Sequence, residues 1–252
     1  MSSVPATAPG SRFQRLAIRH LFPLVPILGV FVGAAGVFRD NSFLWHIRAG
    51  LLQAEAGEVL RQDPFSIARL GEPWRTQSWL AELGYGWLEQ SRPGAGWAAW
   101  VVAVAALLAM ILVGLAIYGA ARSVTVTGAL LAIVFVPMFR LLVPRPVVLM
   151  LPLLGALLLS VRSSRICWAV VPLVWVWASI HGSFVLGIGI IVLESLRRED
   201  RRMARLAILS TVAASATAHG VGVWQTLWRF AANRGALDYI SEWDPTDLTG
   251  PA

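Results

Sequence analysis

Six uncharged apolar runs, at 21 to 38, 97 to 121, 123 to 139, 146 to 161, 166 to 193 and 206 to 228, punctuate the chain. A helix needs roughly 20 predominantly apolar residues to cross a bilayer. Inside hydrocarbon the backbone must also satisfy its own N–H and C=O groups, so a span is a helix or a closed barrel. Runs of this length and number predict an all-α fold, a polytopic transmembrane helix bundle. Composition agrees: 57% of residues are hydrophobic and 14% charged, with a mean hydropathy of +0.66, figures foreign to a water-soluble domain. All 21 basic residues are Arg. They separate the apolar runs instead of clustering on a polar face, which argues against nucleic acid as a partner and marks them as topology determinants. The single cysteine, Cys167, excludes an internal disulfide.

Charge sets the orientation. Arg12, Arg15, Arg19 and His20 flank the first run as they would a signal peptide, but 18 apolar positions exceed an ordinary signal core. The run is therefore read as a retained anchor. The run from Ile166 to Leu193 would be about 42 Å long as one helix at roughly 1.5 Å per residue, too long for an untilted span. Its middle reads Ser179-Ile180-His181-Gly182-Ser183, a polar break, and both flanks are basic, with Arg162 and Arg165 on one side and Arg197, Arg198, Arg201, Arg202 and Arg205 on the other. The positive-inside rule places both ends in the cytoplasm, which a hairpin over 166 to 196 turning at 179 to 183 satisfies and a single span does not. With residues 1 to 20 cytoplasmic, about seven passes result. The first is 21 to 38, a large outer loop follows at 39 to 96, the bundle occupies 97 to 228, and 229 to 252 is an outer tail. The inner side then carries eleven Arg against three acids and the outer side ten against eleven. The expected location is the plasma membrane, multi-pass, with the large loop outside.

Within that loop, Phe43, Leu44, Ile47 and Leu51 recur at helical spacing and Gly57 is a stop signal, so 43 to 56 reads as an amphipathic helix. Trp79, Leu80, Leu83 and Trp87 repeat the pattern. With Trp45 and Trp74, these helices suit an interface where indole rings prefer to sit. Asp63-Pro64 and Gly71-Glu72-Pro73 favour turns between them. This topology gathers Asp40, His46, Asp63, Arg140, Arg145, His181 and His219 at or near the outer face. The plainer reading makes the aromatic residues a lid on the bundle and Asp40 a solvated boundary residue. The sharper one makes Asp40 a general base or a ligand for a divalent metal.

At Asp40-Asn41-Ser42-Phe43-Leu44-Trp45-His46-Ile47-Arg48-Ala49-Gly50 the sequence resembles a family of bacterial polytopic proteins related to the GT-C glycosyltransferases, whose motif there is approximately Asp-Pro-Asp-x-Trp-Trp-His-x-x-x-Gly. Further similarity lies at Asp63-Pro64-Phe65-Ser66, at Trp74 with Gln77-Ser78-Trp79-Leu80-Ala81-Glu82, at Arg145-Pro146, at Trp177-Ala178-Ser179-Ile180-His181-Gly182-Ser183-Phe184 and at Ile240-Ser241-Glu242-Trp243. The resemblance implies an enzyme that takes a sugar from a polyprenyl-phosphate carrier and passes it to an envelope acceptor on the outer face. It makes Asp40 the base or metal ligand. Arg145 then suits the carrier phosphate, because a guanidinium binds phosphate oxygens through paired hydrogen bonds. His181, His46 and Arg140 complete the candidate substrate-binding set.

Three departures from the family pattern weigh on the metal and on activity. Ser42 stands where relatives carry a second acid, which leaves Asp63 or Glu82 as candidate partners of Asp40 and the metal itself unknown. Ser179 replaces an Asn. The chain is also short for the family. The alternative is a non-catalytic membrane subunit, or a truncated member, binding a lipid or protein partner in envelope assembly. A transporter fits less well, since no charged residue lies mid-run and no inverted repeat is evident.

Overall fold

The structure is a computed structural model that describes residues 21–34, 42–139 and 141–232. Among the described residues it is all-helical, with ten α-helices and one isolated β-bridge between Gln62 and Pro73. The helices are α1 (Leu24–Ala34), α2 (Ser42–Ala56), α3 (Trp79–Ser91), α4 (Trp97–Ala121), α5 (Val124–Phe139), α6 (Pro146–Ser160), α7 (Val170–Ile180), α8 (Phe184–Arg198), α9 (Arg201–Ser215) and α10 (Gly222–Ala232). One of them, α4, is long and apolar enough to cross a membrane: 25 residues, or about 37 Å at roughly 1.5 Å per residue.

Local chemistry explains the boundaries. Pro146 opens α6 at its first position, where a missing N–H costs nothing, and Arg145 before it is extended, as a residue preceding proline prefers. Asp200 caps α9 by accepting from the Arg202 N–H at 2.7 Å. Arg197 and Arg198 close α8, where the helix dipole favours positive charge. The α3–α4 turn runs through left-handed backbone at Gly94 and Ala95, tied down by Glu89, which accepts from both of their N–H groups and from the Trp97 indole.

Two cores hold the bundle. The first joins α1, α4, α5 and α6 through Val30, Val102, Met110, Leu131 and Val148. The second joins α6 to α10 through Leu157, Val174, Trp177, Phe184, Ile191 and Met203. A third cluster, Phe43, Ile47, Tyr85, Trp97 and Ala98, seats α2 and α3 against the start of α4. On the outside, large apolar side chains lie exposed along α4 (Trp100, Leu115), α5 (Ile133, Val136), α8 (Leu193, Leu196) and α9 (Ile208, Val212).

One expectation changes. The run 206 to 228, read as one pass, is two helices: α9 begins earlier, at Arg201, and stops at Ser215, and a turn reaching left-handed Gly220 leads into the separate α10. The amphipathic segments of the 39 to 96 loop do form helices, and α2 and α3 pack face to face. Gly50 and Gly86 allow this contact, because a Cβ on Gly50 would lie 1.7 Å from the Glu82 carbonyl oxygen. Of the first run, 24 to 34 is helical and 35 to 38 lies outside the described residues.

Candidate functional site

The α2–α3 pair is centred on a buried carboxylate. Glu82, on the inner face of α3, is 0% exposed. Its oxygens meet three side chains: His46 Nδ1 at 2.9 Å, the Gln53 amide N–H at 3.2 Å and the Thr76 hydroxyl at 2.7 Å. A buried charge is tolerable only when paired and hydrogen-bonded, and three partners meet that need. His46 and Gln53 lie seven residues apart on α2, two turns along one face, so one helix supplies both.

The segment before α3 then connects this centre to the bundle. The Thr76 carbonyl accepts from His219 Nε2 at 2.6 Å, in the α9–α10 turn. Arg61 donates to the Ala218 carbonyl at 3.5 Å, and Arg75 donates to the Gln225 side chain at 2.8 Å. Gln77 lies against the α7–α8 turn, where a Cβ on Gly182 would come 2.5 Å from its Oε1. Glycine at 182 therefore serves close approach, since no positive φ is recorded there. Three parts of the chain remote in sequence meet at one end of the bundle.

His181 sits in the α7–α8 turn, outside both helices. Its Nδ1 accepts from the Ser183 N–H at 3.2 Å and lies 2.8 Å from the Ser183 hydroxyl, which itself accepts from the Trp177 indole at 3.0 Å. Burial, then the neighbouring His46, holds the His181 imidazole below its ordinary range. His219, in the turn between α9 and α10, is likewise held low. Burial leads there, and Arg61 and Arg75 add to it against the opposing Thr76 hydrogen bond. Beside His46, Trp45 stacks on the imidazole at 3.9 Å and meets Phe65 and Trp74 edge to face.

The remaining sequence candidates fall out as follows. Asp40 and Arg140 lie outside the described residues. Arg145 is half-buried at the start of α6; α6 and α7 pack and are joined by the short 161–169 connection, which makes them antiparallel and brings Arg145 to the same end as the α7–α8 turn. Asp63 is buried and accepts from the Phe65 and Ser66 N–H groups at 2.8 and 3.0 Å, building its own turn. Among the described residues no group of three His, Cys, Asp or Glu could hold a metal ion.

No family model, curated protein or solved structure matches the chain.

Sequence reasoning named Glu82 only as a candidate partner for Asp40. Its place as the hub of α2 and α3 was legible in one signal, an acid between Ala81 and Gly86 on the face that small residues mark for close packing. Thr76, Arg61 and Arg75 carried no signal of their own, because the contacts that tie them to the bundle reach residues 143 to 157 positions away in sequence; Gln77 stood out only within the resemblance.

Proposed function

We propose that the chain is a multi-pass membrane protein of about seven passes that acts as a GT-C-like glycosyltransferase, moving a sugar from a polyprenyl-phosphate carrier to an envelope acceptor on the outer face. The apolar exterior of α4, α5, α8 and α9 supports a lipid surround, since exposed apolar surface on this scale is disfavoured in water. The observation that carries the reading is the meeting of the 57 to 78 segment, the α7–α8 turn and the α9–α10 turn around His46 and Glu82. Of these segments, the α7–α8 turn holds His181, which with His46 belongs to the candidate substrate-binding set.

In this reading the carrier phosphate is met by Arg145, and Arg140 adds positive charge near it. His181 donates a hydrogen bond from its Nε2 to the sugar or phosphate, because its Nδ1 is occupied as an acceptor. The half-buried cluster of Trp45, Phe65 and Trp74 offers an aromatic wall for a sugar ring. Asp40 carries the base or ligand role that the resemblance assigns to it.

A specific observation favours the second reading, a non-catalytic subunit binding a lipid or partner. Both acids available to pair with Asp40 hold other contacts: Glu82 accepts from three side chains, and Asp63 Oδ1 accepts from two backbone amides. Native mass spectrometry of the detergent-purified protein separates the two readings in part. A polyprenyl-phosphate species that co-purifies and is lost in Arg145→Ala supports transfer. Bulk phospholipid held equally by both forms supports the subunit.

A further inference from the structure

We propose that His46 is the proton acceptor of the transfer reaction, with Glu82 as the positioning residue that fixes its tautomer. The inference rests on the transferase reading above and assigns the step that reading leaves between two roles of Asp40.

Hydrogen-bond accounting around Glu82 decides the tautomer. The Ser78 N–H donates to Thr76 Oγ1 at 3.3 Å, which turns the Thr76 hydroxyl proton toward Glu82 Oε1. The Gln53 amide nitrogen can only donate, and it donates to Oε2. With Glu82 as the carboxylate, both its oxygens accept, and His46 Nδ1, 2.9 Å from Oε1, carries the proton. A neutral imidazole has one N–H, so the lone pair lies on Nε2. Among the described residues no hydrogen-bond partner is seen at Nε2, and Trp45 stacks on one face of the ring, which is buried but for about a tenth of its side chain.

His181 is set the opposite way. Its Nδ1 accepts, so its proton is on Nε2. Among the described residues, the titratable groups beside His46 are Glu82 from α3 and His181 from the α7–α8 turn. One imidazole offers a lone pair and its neighbour an N–H, which suits a site that takes a proton from one oxygen and supports charge on another.

The step balances. The acceptor's O–H bond breaks as its proton passes to His46 Nε2. Its oxygen forms the bond to the anomeric carbon. The anomeric C–O bond to the carrier breaks, and its electron pair leaves on the polyprenyl phosphate. Glu82 faces the Nδ1–H of the resulting imidazolium and stabilises its charge, as a buried carboxylate does behind a histidine base. Asp40 is then left the ligand role.

The test uses the full-length protein in detergent. Diethyl pyrocarbonate acylates unprotonated imidazole nitrogen, and peptide mass spectrometry reads each of the four histidines. His46 is expected to be acylated in the folded wild type, and more slowly by several-fold in Glu82→Gln. With ¹⁵N-histidine labelling, His46, identified by its loss in His46→Gln, is expected in the Nδ1–H form and to leave it in Glu82→Gln. With a polyprenyl-phosphate sugar as donor, Glu82→Gln is expected to lower kcat on the order of 10²-fold with KM little changed, and Glu82→Asp to restore part of the loss. A purely structural carboxylate would lower Tm without that kcat-only pattern. Protection of His46 from the reagent in the folded protein, an Nε2–H tautomer, or a wild-type rate in folded Glu82→Gln overturns the proposal. If the wild type transfers no sugar, the transferase reading falls by itself, and acylation still decides whether His46 is an accessible proton acceptor.

Discussion

Replacing Gly50 by alanine should unlock the α2–α3 pair. In an open helix this change stabilises by roughly 0.5 to 1 kcal/mol, because glycine surrenders more backbone entropy on folding. Here the new methyl would lie 1.7 Å from the Glu82 carbonyl oxygen, 2.6 Å from its carbon and 2.8 Å from the Gly86 nitrogen, where real contacts essentially never fall below 3.0 Å. Those obstacles are backbone atoms, so no side-chain rotamer relieves them and the helices must separate by more than about 1 Å. Overpacking costs typically about 1 to 3 kcal/mol and more against rigid neighbours. The movement also draws Glu82 away from His46 and Gln53. A net loss of at least about 2 kcal/mol is expected, which lowers Tm by at least roughly 4 °C in a chain of this size. Gly84→Ala, on the partner helix α3, is the control, since nothing lies within 4 Å of its Cβ direction, and it should melt at or above the wild type. Thermal melting followed by circular dichroism in one detergent compares the three. A Gly50→Ala protein that melts with the wild type, or a Gly84→Ala protein that falls equally, refutes the close-contact reasoning.

Thr76→Val keeps the shape but removes one donor from buried Glu82, and urea or thermal unfolding should show a loss of about 1 to 3 kcal/mol. Glu89 is held below the ordinary carboxylate range, first by the Gly94 N–H, then, against the opposing effect of burial, by the Trp97 indole and the Ala95 N–H. A depressed folded value contributes stability above the unfolded value of roughly 4.3, lost as pH falls through the folded one. The Tm gap between wild type and Glu89→Gln should therefore be present at neutral pH and close in acid; a gap that widens in acid contradicts the assignment. Asp40→Asn is expected to abolish sugar transfer while inserting normally, measured with a polyprenyl-phosphate donor in proteoliposomes.

Much of the helical layout was legible because apolar runs report burial directly. The polar break at 179 to 183 announced the α7–α8 turn. The same kind of signal stood at Ser215-Ala216-Thr217-Ala218-His219-Gly220, yet it sits in a run of acceptable length for one pass, so length alone concealed it. Glycine is ambiguous in sequence: Gly220 adopts positive φ, whereas Gly50, Gly86 and Gly182 are there for approach of another segment. Asp63, a speculative ligand in the sequence, also builds a turn, its Oδ1 accepting from amides two and three residues ahead.

What the sequence determined alone is what depends on local periodicity and composition: an all-helical chain, a 25-residue apolar α4, and a break between α7 and α8. What only the tertiary structure decided is which polar groups share an environment. Glu82 is a lone acid in a Trp-Leu-Ala-Glu-Leu stretch until α2 brings His46 and Gln53 to it and the preceding turn brings Thr76. The physical reason is distance along the chain. Helix formation is set by neighbours three and four residues away, while the tautomer of His46 depends on a carboxylate 36 residues on and the seating of that carboxylate's loop on a turn 143 residues beyond Thr76.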